Sequence, residues 1–132
     1  MMFPAKHLSI SVNCTTEEVY EFASNAENLP KWAAGLSNNT ITKVGDEWET
    51  DSPIGKVRVR FVHKNNFGVM DHDIIFPSGE INHNPFRVLK NDMGSEVVFT
   101  LYRLPRMSDN DYQRDIDFIQ SDLKKLKLIL EK

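Results

Sequence analysis

The stretch from Ser108 to Lys132 constrains the rest of the chain most. Tyr112, Ile116, Ile119, Leu123, Leu126 and Leu130 recur at spacings of four and three, which puts one apolar stripe on a 3.6-period helix. Ser108 followed by Asp111 reads as an N-cap with a capping box. Asp109, Asp111, Asp115 and Asp117 come early, and Lys124, Lys125, Lys127 and Lys132 come late. That order complements the helix macrodipole. No glycine or proline interrupts the run, so the spacing predicts a continuous helix about 36 Å long at 1.5 Å per residue. A helix with one apolar stripe is marginal alone in water, so the preceding residues must supply a surface for it. Phe118 and Ile129 lie off the stripe at nearly the same angle, where they either extend the core or mark a homodimer contact.

The chain has 132 residues, which suits one domain over 1–132 with one core. Its 40% hydrophobic and 27% charged content is that of a soluble globular protein. A net charge of −3 without a basic face argues against nucleic-acid binding. The N-terminal run Met1 to His7 has no apolar leader core, and no segment reaches the length of a membrane span. The cytoplasm is therefore the expected compartment, with no membrane partner. The single cysteine, Cys14, excludes an intrachain disulfide.

Ahead of the long helix the periodicity changes twice. Lys6 to Val12 alternates as a half-buried strand. Thr15 to Glu18 opens a short helix with its own capping box, burying Val19, Phe22, Ala23 and Ala26. Asn28-Leu29-Pro30 starts a second short helix whose apolar side is Trp32, Ala33 and Leu36, ended by Gly35 and Ser37 to Asn39. From Thr40 to Pro105 strands follow one another: Ile41–Val44, Glu47–Thr50, Lys56–Lys64, Phe67–Phe76, Ile81–Leu89 and Glu96–Leu104. Their turns are Gly45-Asp46, Ser52 to Gly55, Asn65-Asn66, Pro77 to Gly79 and Asn91 to Gly94. Pro85 marks its strand as an edge or a bulge. The predicted class is α+β: a curved antiparallel sheet of about seven strands, wrapped around the long C-terminal helix, with two short helices after the first strand.

This order resembles the helix-grip fold of the START-like superfamily, also called SRPBCC or Bet v 1-like, and within it the polyketide cyclase/dehydrase-type branch. The resemblance rests on Ser9-Ile10-Ser11-Val12 followed by Glu17 to Phe22, on Leu29-Pro30-Lys31-Trp32, and on Gly94 to Leu101 leading through Arg103-Leu104-Pro105 into the last helix. It covers essentially the whole chain. Members of the superfamily include lipid carriers, hormone-binding and allergen-type proteins, cyclases, dehydratases and chaperone cofactors, so the fold implies a cavity rather than one activity.

Polar residues sharing strand parity with apolar ones are candidates to line such a cavity. His63 shares parity with Val57, Val59 and Phe61. His72 shares it with Met70, Ile74 and Phe76. Arg87 goes with Ile81, His83 and Leu89, and Arg103 with Val97, Phe99 and Leu101. A histidine pair there suits acid–base work near neutral pH. The bland reading of each is surface or an ion pair, with Asp115 and Asp122 as partners for the arginines. Trp32 and Trp48 are the aromatics expected to meet a ligand; the others read as core. No His-x-His, cysteine pair or His-Glu-x-x-His supports a metal site. No nucleophile elbow or phosphate loop is present, so no cofactor is expected.

Three functions fit these residues. The leading one is binding of a small hydrophobic or aromatic molecule between sheet and helix by Trp32, Trp48, His63, His72, Arg87 and Arg103. The second is a cofactor-free cyclase or dehydratase acting on a polyketide-like substrate, with a histidine base and an arginine at an enolate-like oxygen. The third is a small interaction domain that fills its own grip.

Overall fold

The computed structural model describes residues 1–33, 40–52 and 55–132. The expected apolar contact of Leu36, the helix end at Gly35 and Ser37 to Asn39, and the Pro53-Ile54 half of a turn lie outside the described residues.

Strand β1 (Ala5–Val12) leads to helix α1 (Thr16–Ala23), a 3-10 turn (Ala26–Asn28) and helix α2 (Leu29–Trp32). Strands β2 (Ile41–Val44), β3 (Glu47–Ser52), β4 (Gly55–Phe61), β5 (His72–Ile75), β6 (Ile81–Asn84), β7 (Phe86–Asn91) and β8 (Gly94–Tyr102) follow, and helix α3 (Asp109–Leu130) closes the order. The local signals act as expected. Thr15 Oγ1 accepts from Glu18 N, and Ser108 with Asp111 forms a reciprocal capping box. Gly45 sits at φ +63 in the β2–β3 turn, a conformation glycine adopts without Cβ strain.

The strand expected over Ile81 to Leu89 extends to Asn91 and breaks at Pro85. The broken strand joins two ladders, β2-β3-β4-β5-β6 and β1-β8-β7, both antiparallel. Proline has no N–H to donate, so regular pairing stops there and changes partner. Met70 N to Phe86 O (2.7 Å), Val88 N to Gly68 O (3.0 Å) and Thr100 N to Pro85 O (2.9 Å) carry hydrogen bonding across the break. Counted as one interrupted strand, β6 and β7 give the seven-stranded curved sheet. Two expected strands are shorter than their sequence runs: β4 stops at Phe61, and β5 begins only at His72.

One face of this sheet is buried and the other is charged. Val57 and Val59 on β4, Phe86 and Val88 on β7, and Val97, Phe99 and Leu101 on β8 point inward. On the outer face, Glu49 stands opposite Arg58, Arg60 opposite Asp73, and Asp73 opposite His83. Cross-strand ion pairs of this kind favour the register, although exposed pairs stabilise it little. Against the inner face lies α3, burying Ile116, Leu123 and Leu126, with Tyr112, Ile119 and Leu130 packed at the margins. Each such side chain contributes about 1.5–3 kcal/mol when fully buried. Three bonds lock the end of the helix to the β1–α1 corner: Lys127 Nζ to Ser11 O, Cys14 Sγ to Leu130 O and Asn13 N to Glu131 Oε2. Of the two residues off the stripe, Ile129 packs on the core and Phe118 stays exposed. Among the described residues no helix is long and apolar enough to cross a membrane.

Candidate functional site

The inner face carries one cluster of rings. Phe61 ends β4, His72 opens β5, Phe86 opens β7 and Phe99 sits on β8, so four strands each deliver one ring. The His72 ring lies 4.9 Å from Phe61, 5.9 Å from Phe86 and 6.0 Å from Phe99, centroid to centroid. Trp32 reaches the same cluster from the helical side, 5.7 Å from Phe86. Its position follows from asparagine chemistry upstream. Asn25 Oδ1 caps the 3-10 turn by accepting from Glu27 N, and Asn28 Nδ2 donates to Phe22 O. Pro30 then enters the first turn of α2, where its missing N–H costs nothing. Trp32 is only 4% exposed, and among the described residues its indole Nε1 has no hydrogen-bond partner.

His72 is buried too. Burial pushes its pKa below the ordinary imidazole value, and the bond to the Met70 carbonyl offsets this only in part. A carbonyl accepts, so Nδ1 at 3.1 Å from Met70 O carries the ring proton. The neutral ring therefore keeps Nε2 as an acceptor. A cleft of about 250 Å³ between α1 and the β4–β5 end is lined by Tyr20, Ser24, Phe61 and Met70. It leads from the surface to the rim of the ring cluster.

The other predicted residues take different positions. Trp48, on β3 opposite Val59, is half-buried and packs against the edge of the core. His63 does not share the inner face of Val57 and Val59, because β4 ends two residues earlier and leaves it exposed. It does border, with His72, a hollow of about 230 Å³ at that strand end. Arg87 shares parity with Ile81, His83 and Leu89 as expected, but all four are on the exposed face. Phe86 and Val88, at the opposite parity, pair with Phe99 and Val97 and turn that side inward. Arg87 instead grips Asp71, with Nη2 2.9 Å from Oδ2. Arg103 lies past the end of β8, half-buried, donating to Met107 O and pairing with Asp109 at the start of α3. The acids that engage these two arginines are thus Asp71 and Asp109. The structure thus unites Trp32 with His72, leaves His63 beside His72 at the strand end, and places Trp48, Arg87 and Arg103 elsewhere.

The sequence reading does not mark Asp71 as the partner of Arg87. Burial alone would raise its carboxyl pKa, but hydrogen bonds from Arg87 and from Phe86 N outweigh burial and hold it below the ordinary value. The acid sits beside a histidine of opposite parity, and its partners are sixteen and fifteen residues away. No local pattern marks such a pair. Among the described residues no group of histidine, cysteine and acid side chains has metal-site geometry.

No protein-family model and no curated protein sequence matches the chain. Solved structures do. An Aha1 dimer from Colwellia psychrerythraea superposes with a TM-score of 0.75 at 16% identity, over 97% of this chain and 96% of that one. A START superfamily protein from Mycobacterium smegmatis gives 0.72 at 12%, over 96% and 97%. The protein Ara h 8.0201 gives 0.71 at 12%, over 98% of both chains. At such identities the likeness is one of fold. The sheet curled around α3, the helix pair after β1 and these superpositions agree: the chain has the START-like, Bet v 1-like helix-grip fold.

Proposed function

We propose that the protein binds a small apolar or aromatic molecule in the grip between the curved sheet and α3, with Trp32 and His72 as its polar contacts and Trp48 at the rim. The observation that carries this reading is the buried Trp32 Nε1, which has no hydrogen-bond partner among the described residues. A buried donor left without an acceptor costs about 1–3 kcal/mol, and buried indole N–H groups normally find partners. A ligand oxygen would supply one. Phe61, half-buried and lining the cleft beside α1, offers apolar area, worth about 25 cal/mol per Å² buried. His63 is assigned to the mouth of the site. Arg87 and Arg103 are read as structural ties, because each is engaged by an acid at the edge of another element, Asp71 before β5 and Asp109 at the start of α3.

The test is an NMR titration of the protein with a fatty acid, a sterol and an aromatic polyketide, reading the Trp32 indole N–H signal. The expected result is a saturable shift with at least one of them, weakened in Trp32→Phe. An indole signal unmoved by all three would leave the filled-core interaction domain as the better reading. The cyclase or dehydratase alternative keeps one specific support: a neutral His72 with its tautomer fixed by Met70 can act as a base through Nε2. It predicts that His72→Gln retains binding and loses conversion of the bound polyketide.

A further inference from the structure

Phe118 is left over from the core. It is 48% exposed, and Leu128 on the same helix is 69% exposed. Both belong to a second regular stripe of α3. Arg114, Phe118, Ser121, Lys125, Leu128 and Lys132 recur at spacings of four and three, each two residues after a member of the core stripe, and all six are exposed. An alternation of four and three puts residues on one face of a helix and is the repeat by which helices pack along one another.

The charges on and beside this stripe are sorted along the helix. Asp117 lies before Ser121, and Lys124 and Lys125 lie after it. The helix macrodipole acts within the first and last turns. These three residues lie inside both turns, so the dipole does not account for their order. Partners within the chain do not account for it either. Among the described residues none of the three enters a salt bridge, and Asp117 accepts only from Gln113 Nε2. Ser121 occupies the position one turn from both Asp117 and Lys125, where an oppositely charged neighbour would have paired with either.

We propose that this stripe is a self-complementary interface on which a second copy of the chain docks with its α3 antiparallel. The symmetry is a two-fold axis passing by Ser121. Asp117 then stands level with the partner's Lys125 and beside the partner's Lys124, and the contact occurs twice. Phe118 packs on the stem and ammonium of the partner's Lys125, and Leu128 packs on the stem of the partner's Arg114. The small Ser121 at the crossing lets the two helices approach. A parallel arrangement would set acid against acid and base against base. One helix pair buries less than the roughly 1,200 Å² of a standard interface, so the dimer is weak and forms at high protein concentration. The core stripe of α3 is untouched, so the dimer leaves the grip as it is.

The experiment is sedimentation equilibrium of the full chain at concentrations up to about 1 mM. A monomer–dimer equilibrium is expected, weakened by about 0.5 M salt. Phe118→Ser should lower association about tenfold or more. The deciding variants are Asp117→Lys, and Lys124→Glu combined with Lys125→Glu. Each sets like charges across the two-fold axis, so each alone should sediment as a monomer. Mixed in equal amounts, they set opposite charges at both contacts and should form a heterodimer. Every changed position is exposed, and far-UV circular dichroism checks that each variant is folded. Should one of them unfold, the salt dependence and Phe118→Ser still decide. A monomer at every concentration would overturn the proposal. So would a dimer indifferent to Phe118→Ser, or a mixture no more associated than either variant alone.

Discussion

His72 is a titratable group held where its charge is poorly solvated, and this gives the protein a specific pH response. Its folded pKa is depressed by burial, so the unfolded chain binds a proton more readily than the folded one. Stability should therefore be complete above the ordinary imidazole value of about 6.5 and fall as pH drops below it. His72→Leu should flatten that dependence between roughly pH 6.5 and 5, as read from urea midpoints at each pH. Asp71 works in the same sense but over a lower pH range. Its carboxylate is stabilised in the fold, so its contribution persists to lower pH and is lost as pH falls through its depressed folded value. Because Asp71 Oδ1 also satisfies Phe86 N in a buried setting, Asp71→Ala should lower unfolding free energy by about 1–3 kcal/mol. Neither role was legible in the residues alone. His72 was recognised by parity, but its neutral state depends on rings from three other strands. The partnership of Asp71 with Arg87 depends on the register that Pro85 permits.

At the level of elements, legibility followed the range of the interactions. The caps of α1 and α3 are three-residue events, and both were readable. The stripe of α3 was readable because a helix repeats one face over many residues. Removing Ser108 Oγ by Ser108→Ala should cost about 1 kcal/mol, measured by chemical denaturation. The face of β7 was not readable. Ile81 and Leu89 at one parity compete with Phe86 and Val88 at the other, and only the pairing with β8 decides between them. The entry to β5 was missed for a related reason. Gly68 sits at φ +71, and a Cβ there would lie 2.4 Å from the Val88 carbonyl oxygen. Gly68→Ala should therefore lose more than the roughly 1–2 kcal/mol of the left-handed backbone alone, and the loss should appear in the same denaturation midpoints.

At the level of the whole molecule, the fold combines a charged outer face with an apolar inner one, closed by a helix anchored at both ends. At its N-terminus α3 is held through Arg103 and Asp109, and at its C-terminus through Cys14, Ser11 and Asn13. If residues 1–132 form one unit, heating should give one transition with coincident tryptophan fluorescence and circular dichroism. The central claim is that the grip holds a small molecule which completes the hydrogen bonding of Trp32. The most direct test is the native mass of the purified protein set against its denatured mass, before and after incubation with fatty acids, sterols and aromatic polyketides. The account predicts a one-to-one adduct of small-molecule mass that is released on denaturation and weakened by Trp32→Phe. A bare protein mass under every condition would contradict it and favour a grip filled by the protein's own side chains.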